Sequence, residues 1–295
     1  MIRYEAAVTG DQQYLLGEGA QWDAARQRLL WVDILNGRVF EGRLDGDRVE
    51  TTATHQFEGM VGTVVPAADG SLLVAAQENL VVIAPDGTRT TGPRVVPGGV
   101  ASRTNDGGVD PQGRFLIGTL ALDGRHNEDL LQRVEPDGTL TLLDADLDIS
   151  NGLAWSVDGA RLFSVDTLNQ RIFQRAYSAT TIGERHEFLR VTDGHPDGMT
   201  IDSEGNLWVA IWGAGEVRCY APDGSILAVV DTAAPHTSSV AFVGADLDTL
   251  LITTAQKDLA AAELDRWPNS GRLMLARVGA RGVETPAWAG LAPNP

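Results

Sequence analysis

Ile149-Ser150-Asn151-Gly152-Leu153-Ala154-Trp155-Ser156, followed by the turn Val157-Asp158-Gly159, is the stretch from which the fold is read. An apolar strand runs into a polar turn, and residues 161–167 begin a second apolar strand. The same pattern recurs along the chain. Polar turns at residues 23–27, 69–71, 110–113, 202–205 and 246–248 each lead into a run such as 72–76 or 206–212. Those runs are rich in β-branched and aromatic residues, which favour strands. With the turn at 157–160 there are six, roughly 40–50 residues apart, the spacing of propeller blades. Further strand pairs lie between them, several closed by Pro-Asp-Gly at 85–87, 136–138 and 222–224. In such tight turns Pro presets φ and Gly permits a positive φ. Four antiparallel strands per unit and six units predict an all-β, six-bladed β-propeller, one domain over residues 1–295. Pairing of the terminal strands is expected to close the ring, with residues 2–8 as the outer strand of the last blade and 282–288 as the competitor. Closure removes exposed strand edges. Short helical pieces are expected inside connections, near residues 258–267 and 126–130, and the tail 291–295 is expected to fray.

Register then singles out a set of side chains. Stepping back eight residues from the turn position held by Arg26, Gly70, Gly113, Gly159 and Gly205 gives Glu18, Gly62, Asn105, Asn151 and Asp197. In a propeller the innermost strand of every blade lines the central channel. One structural position, at the start of that strand, therefore brings two carboxylates and two amides to one mouth. Oxygen donors without Cys or His suit a hard divalent cation such as Ca²⁺, Mg²⁺ or Mn²⁺.

Composition narrows the field. A net charge of −17 and a pI near 4.6 argue against binding nucleic acid or an anionic membrane through charge. No apolar run approaches the roughly 20 residues of a membrane span. Nor does the N-terminus carry a signal-peptide apolar core. A cytoplasmic monomer is expected. Cys219 is the single cysteine, so no intramolecular disulfide can form, and it reads as a small buried hydrophobe.

Several short segments together carry a specific resemblance: 16–22 (Leu-Gly-Glu-Gly-Ala-Gln-Trp), 102–107 (Ser-Arg-Thr-Asn-Asp-Gly) with 109–115 and Gly118-Thr119, 149–153, and 196–202 (Pro-Asp-Gly-Met-Thr-Ile-Asp). With them the chain resembles the senescence marker protein/regucalcin/gluconolactonase family over nearly its whole length. The resemblance implies a six-bladed propeller holding one divalent cation, with Glu18, Asn151 and Asp197 as ligands. It implies Arg103, Asn105 and Asp123 as substrate contacts. The family usually has an acidic pair there; here only Asp123 matches, with an Asp side chain shorter than the usual Glu.

The implied activity is hydrolysis of an aldonolactone, such as a glucono-, xylono- or arabinonolactone, to the aldonic acid. Asp197 would be the catalytic carboxylate and Arg103 a grip on ring oxygens. The cation could be Ca²⁺, Mg²⁺, Mn²⁺, Zn²⁺ or Fe²⁺. The alternative is a regucalcin-like calcium-binding regulator without turnover. Asp106 reads equally as a channel residue or a turn cap. His195, His126 and His236 read first as loop residues. Asp33 and Asp166 read as turn caps, and Trp155, Trp208 and Trp212, with Trp22 and Trp31 beside them, as packing between blades.

Overall fold

The computed structural model describes residues 1–292. Six sheets stand around an axis, each a meander whose neighbours in sequence are antiparallel neighbours in space. The innermost strands are Gly17–Asp23, Val61–Pro66, Ser102–Val109, Ser150–Trp155, His195–Ile201 and Thr237–Val243. Each turns outward through the hairpin that the sequence marks. Gly70, Gly113, Gly159 and Gly205 all have positive φ there, and Leu247 takes the same conformation in the last blade at φ +51°. This is the six-bladed propeller that the repeat predicts.

Apolar side chains of adjacent blades pack together. Trp31 stacks on Phe40 at 5.4 Å in the first blade, and Tyr14 meets both rings edge-on. Leu251, Leu273 and Leu275 of the last blade pack into the same cluster, across the seam where the ring closes. Cys219 is buried in the cluster between the fifth and sixth blades, where the lack of solvation pushes its thiol up to about 12.

Closure differs in detail from the expectation. Only Ala7–Thr9 completes the last blade, antiparallel to Leu273–Arg277. Ile2–Glu5 instead runs parallel to Ile226–Asp231 and adds a fifth strand to the fifth blade. Ala6, between the two strands, donates its N–H to the Asp231 carbonyl. The competing segment near the C-terminus forms a strap across one end of the channel. Ser203 bonds Arg281, Trp288 bonds Pro66, and Ala289 bonds Gly113 through backbone groups. Trp288 is buried in the cluster of Val65, Leu73 and Phe115. In the tail, the Ala292 N–H reaches the Pro136 carbonyl, while residues 293–295 lie outside the described residues.

One helix is present among the described residues, Ala261–Arg266, inside the connection expected to hold it. Residues 126–130 are not helical. Asp129–Val134 is a strand there, because its apolar residues complete the third blade. No helix of the described chain is long and apolar enough to cross a membrane.

Every innermost strand carries a β-bulge against its neighbour, and all six bulges fall at the same height. They lie between Glu18 and Gln21, Val61 and Thr63, Thr104 and Gly107, Asn151 and Leu153, Pro196 and Met199, and Thr237 and Ser239. A bulge inserts one residue, bends the strand and re-aims a side chain. The position found by register sits at this bulge in each blade. Its sixth holder is Ser238, which bonds the Gly17 carbonyl at 2.5 Å.

Candidate active site

The bulges place Glu18, Asn105, Asn151 and Asp197 in one cavity of about 240 Å³, with Arg103 beside them. All five side chains are buried, at 4–7% exposure. The cavity opens at the start of the inner strands. A second cavity of about 250 Å³ lies at their far ends, under the strap, and Asp106 lines that one. Asp106 accepts the Gly107 N–H at 2.8 Å, and burial pushes its carboxyl up to about 6.

The hydrogen bonds assign different tasks to these groups. Asn105 is engaged at both ends of its amide. Its Oδ1 accepts Arg103 Nη1 at 2.7 Å and its Nδ2 donates to the Ser150 carbonyl at 2.9 Å. Arg103 Nη1 also donates to the Thr104 carbonyl. The described protein bonds of the guanidinium use this one nitrogen, so the rest of the fork remains for a ligand. Burial lowers Arg103 to about 10, against the opposing charges of Glu18, Asp129 and Asp197, and it stays charged at neutral pH.

Asn151 donates through Nδ2 to Thr167 Oγ1 at 3.1 Å, which turns its Oδ1 the other way. Asn151 Oδ1 and Asp197 Oδ1 are both buried with no hydrogen-bond partner. Such atoms are costly to bury and rare in folded proteins. Burial, and then the charges of Glu18 and Asp106, raise Asp197 far above the usual carboxylate range. Burial and Asp106 raise Glu18 in the same direction. Carboxylates that resist ionisation side by side, next to an orphaned amide oxygen, gain from a positive charge among them. Glu18, Asn151 and Asp197 thus fit a hard divalent cation. Among the described residues no three His, Cys, Asp or Glu side chains converge on one point. The third oxygen here belongs to an amide.

Backbone strain helps to hold the wall. Ile149, just ahead of the bulge, has φ +70°, an outlier for a β-branched residue. Asp129 Oδ2 accepts its N–H at 3.0 Å and the Thr167 N–H binds its carbonyl at 3.1 Å, fixing that conformation.

Not every expected residue arrives. Asp123 is exposed, pairs with Arg125 at 2.8 Å, and does not line the cavity. It lies two residues beyond the strand Phe115–Ala121, in the loop outside the rim. His126 also stays outside, bonding Asp148 at 2.8 Å. His195 lines the cavity and donates from Nδ1 to the Thr167 carbonyl at 3.2 Å. Asp33 and Asp166 accept backbone N–H groups, from Leu15 and Leu16 and from Asp148, and so anchor the segments that lead into the inner strands of their blades.

Comparison with known proteins bears on the same residues. The family model described as "SMP-30/Gluconolactonase/LRE-like region" matches residues 16–256, a span that contains all of them. The chain belongs to this family. The family member is 35% identical to a 6-deoxy-6-sulfogluconolactonase of Pseudomonas putida over 288 residues, covering 95% of this chain and 97% of that one. It is also 35% identical to a pentonolactonase of Haloferax volcanii, covering 84% of each. Among solved structures it is similar to a calcium-binding protein, regucalcin, of Agrobacterium tumefaciens, with a TM-score of 0.91, 27% identity, and coverage of 98% of this chain and 99% of that one.

Sequence reading missed part of the cavity wall in this family member. Trp212 packs against the apolar cluster of Leu16, Leu30 and Ala255, as expected, but it also lines the cavity and stacks on His236 at 4.0 Å. Lys257 and Asp258 line it too. Composition alone could have flagged Lys257, because it is the chain's only lysine. Ser238 was missed because the last hairpin turns on Leu247, nine residues on instead of eight.

Proposed function

We propose that this protein hydrolyses a sugar lactone to the aldonic acid. The observation that carries the reading is the convergence of orphaned oxygens, on Asn151 and Asp197, with a buried guanidinium in one monosaccharide-sized cavity. Relatives named as lactonases of sulfogluconic and pentonic acids support the same class of substrate.

In this reading Glu18, Asn151 and Asp197 hold one divalent cation. Bound there, a cation supplies Lewis-acid polarisation of an ester carbonyl. Arg103 donates to the lactone's oxygens and orients the ring, its own position fixed by Asn105. Asp197 accepts a proton from the attacking water. Its buried position also keeps bulk water away from the reacting atoms. The ring C–O bond then breaks, Asp197 returns the proton to the leaving oxygen as the new hydroxyl, and the carboxylic acid so formed ionises to a carboxylate, releasing one proton to solvent. Asp123 sits at the surface paired with Arg125, outside the lining of this cavity.

A calcium-binding role without turnover is the second reading, favoured by the likeness to a structure named as a calcium-binding protein. It leaves Arg103 and Asn105 without a task, since a cation site does not need a buried guanidinium beside it.

The experiment is a pH-stat assay of aldonolactones, with EDTA-stripped protein and single divalent cations added back, above the spontaneous rate. Cation-dependent acid release is expected. Cation binding with no release from any lactone would move the assignment to the second reading.

A further inference from the structure

The chain contains 22 arginines and one lysine, and that lysine stands on the wall of the candidate cavity. Its backbone is tied on both sides. The Lys257 N–H donates to the Leu15 carbonyl at 2.9 Å, and its own carbonyl accepts His236 Nδ1 at 2.9 Å. His236 in turn lies flat on Trp212, with 11° between the ring planes. Asp258 follows in a left-handed conformation at φ +64°, a cost usually met only where the surroundings impose it. The Lys257 ammonium pairs with the Asp258 carboxylate. The two side chains are 39% and 68% exposed, and an ion pair so open adds little to stability. Packing and stability therefore leave this well-anchored pair unexplained.

Its chemistry fits hydroxyl groups. A lysine ammonium offers three rotatable donors, whereas the planar arginine fork suits carboxylates and phosphates. A chain that uses arginine everywhere else has the other cation here. Asp258 beside it supplies acceptors and leaves the pair without net charge, so an anionic group would meet Asp258 as well as Lys257. Neighbouring sugar hydroxyls both donate and accept, and match such a pair. The Trp212 ring adds an apolar face for the sugar's C–H groups, with its ring plane fixed by His236.

We propose that Trp212, Lys257 and Asp258 form a subsite that reads the neutral, hydroxyl-bearing carbons of the lactone remote from the ester. It rests on the lactonase reading and adds to it the selection of polyhydroxylated over plain lactones. None of these three residues belongs to the cation-holding set, and the subsite needs no cation.

The test compares kcat/KM for a polyhydroxylated aldonolactone with that for δ-valerolactone, which has no hydroxyls, in the wild type, Lys257→Met, Asp258→Asn and Trp212→Leu. Each variant is expected to reduce the ratio of the two values about tenfold, the size of one charge-assisted hydrogen bond or a lost stacking contact, mainly through KM of the aldonolactone. The Lys257 side chain is part-exposed and Asp258 exposed, so these two variants should melt with the wild type and keep the test open if Trp212→Leu does not fold. Equal loss on both lactones would overturn the subsite. So would a gain by Asp258→Asn confined to a uronic acid lactone, which would make Lys257 an anion contact. Failure of the wild type to hydrolyse any lactone would remove the lactonase reading and this subsite with it. Wild-type turnover with unaltered ratios in the variants would remove the subsite alone.

Discussion

Asp197 carries the most specific expectation at the level of single residues. Its Oδ1 has no partner and its carboxylate shares the cavity with Glu18. Asp197→Asn keeps the shape but removes the proton acceptor and one negative charge. Turnover should fall at least ~100-fold, as for other residues that act directly on proton transfer, and cation affinity should fall with it. Initial rates and calorimetric titration of the same preparation check both, and near-normal turnover would remove Asp197 from the mechanism. Arg103→Ala should separate the two functions: slow hydrolysis with cation affinity within a few-fold of wild type. A large loss of cation would mean that Arg103 organises the cation-holding oxygens. Cys219 is the inert counterpart. With its thiol pushed up to about 12, almost none is thiolate at pH 8, so the folded protein should resist iodoacetamide and label fully only in denaturant. Rapid labelling of the native chain would contradict its burial.

Elements at the two ends of the chain do different work. Ala7–Thr9 covers the edge of Leu273–Arg277, and the strap seats Trp288 against Val65 and Phe115. Trp288→Ala should cost about 3–5 kcal/mol by leaving a large hole. At about 2–4 °C per kcal/mol that is a fall of roughly 10 °C in Tm, measured by calorimetry. Activity at low temperature should persist, because the strap crosses the channel end away from Arg103 and Asp197. The repeat was legible in the sequence because glycine at the hairpins and β-branched runs between them recur at fixed distances. The four oxygen-bearing positions were legible for the same reason. The split of the N-terminal segment between two blades was not, since Ile2–Glu5 and Ala7–Thr9 carry the same strand-forming composition. Trp212, Lys257 and Asp258 escaped because strand ends and loops bring them together, outside the shared register position. Residues 126–130 read as helical from local composition, and the pairing of Asp129–Val134 overrode it.

For the molecule as a whole, a ligand held by three blades should tie the ring. Glu18, Asn151 and Asp197 come from the first, fourth and fifth blades, far apart in sequence. A cation at a hundred times its Kd should stabilise the fold by about 2.7 kcal/mol, a rise of roughly 5–10 °C in Tm that EDTA reverses. The shift should vanish in a Glu18→Gln, Asp197→Asn double variant; a shift that survives there would place the cation elsewhere. The six bulges carry a different lesson, about descent. Gly62 and Ser238 add no charge to the cavity, yet their blades keep the same distortion as the others. The backbone device is common property of the copies, and the chemistry is written on it one substitution at a time. One of the six places is closed to such rewriting. A Cβ on Gly62 would lie 2.3 Å from the Asn105 carbonyl, so at this register position side-chain chemistry is confined to the other five blades.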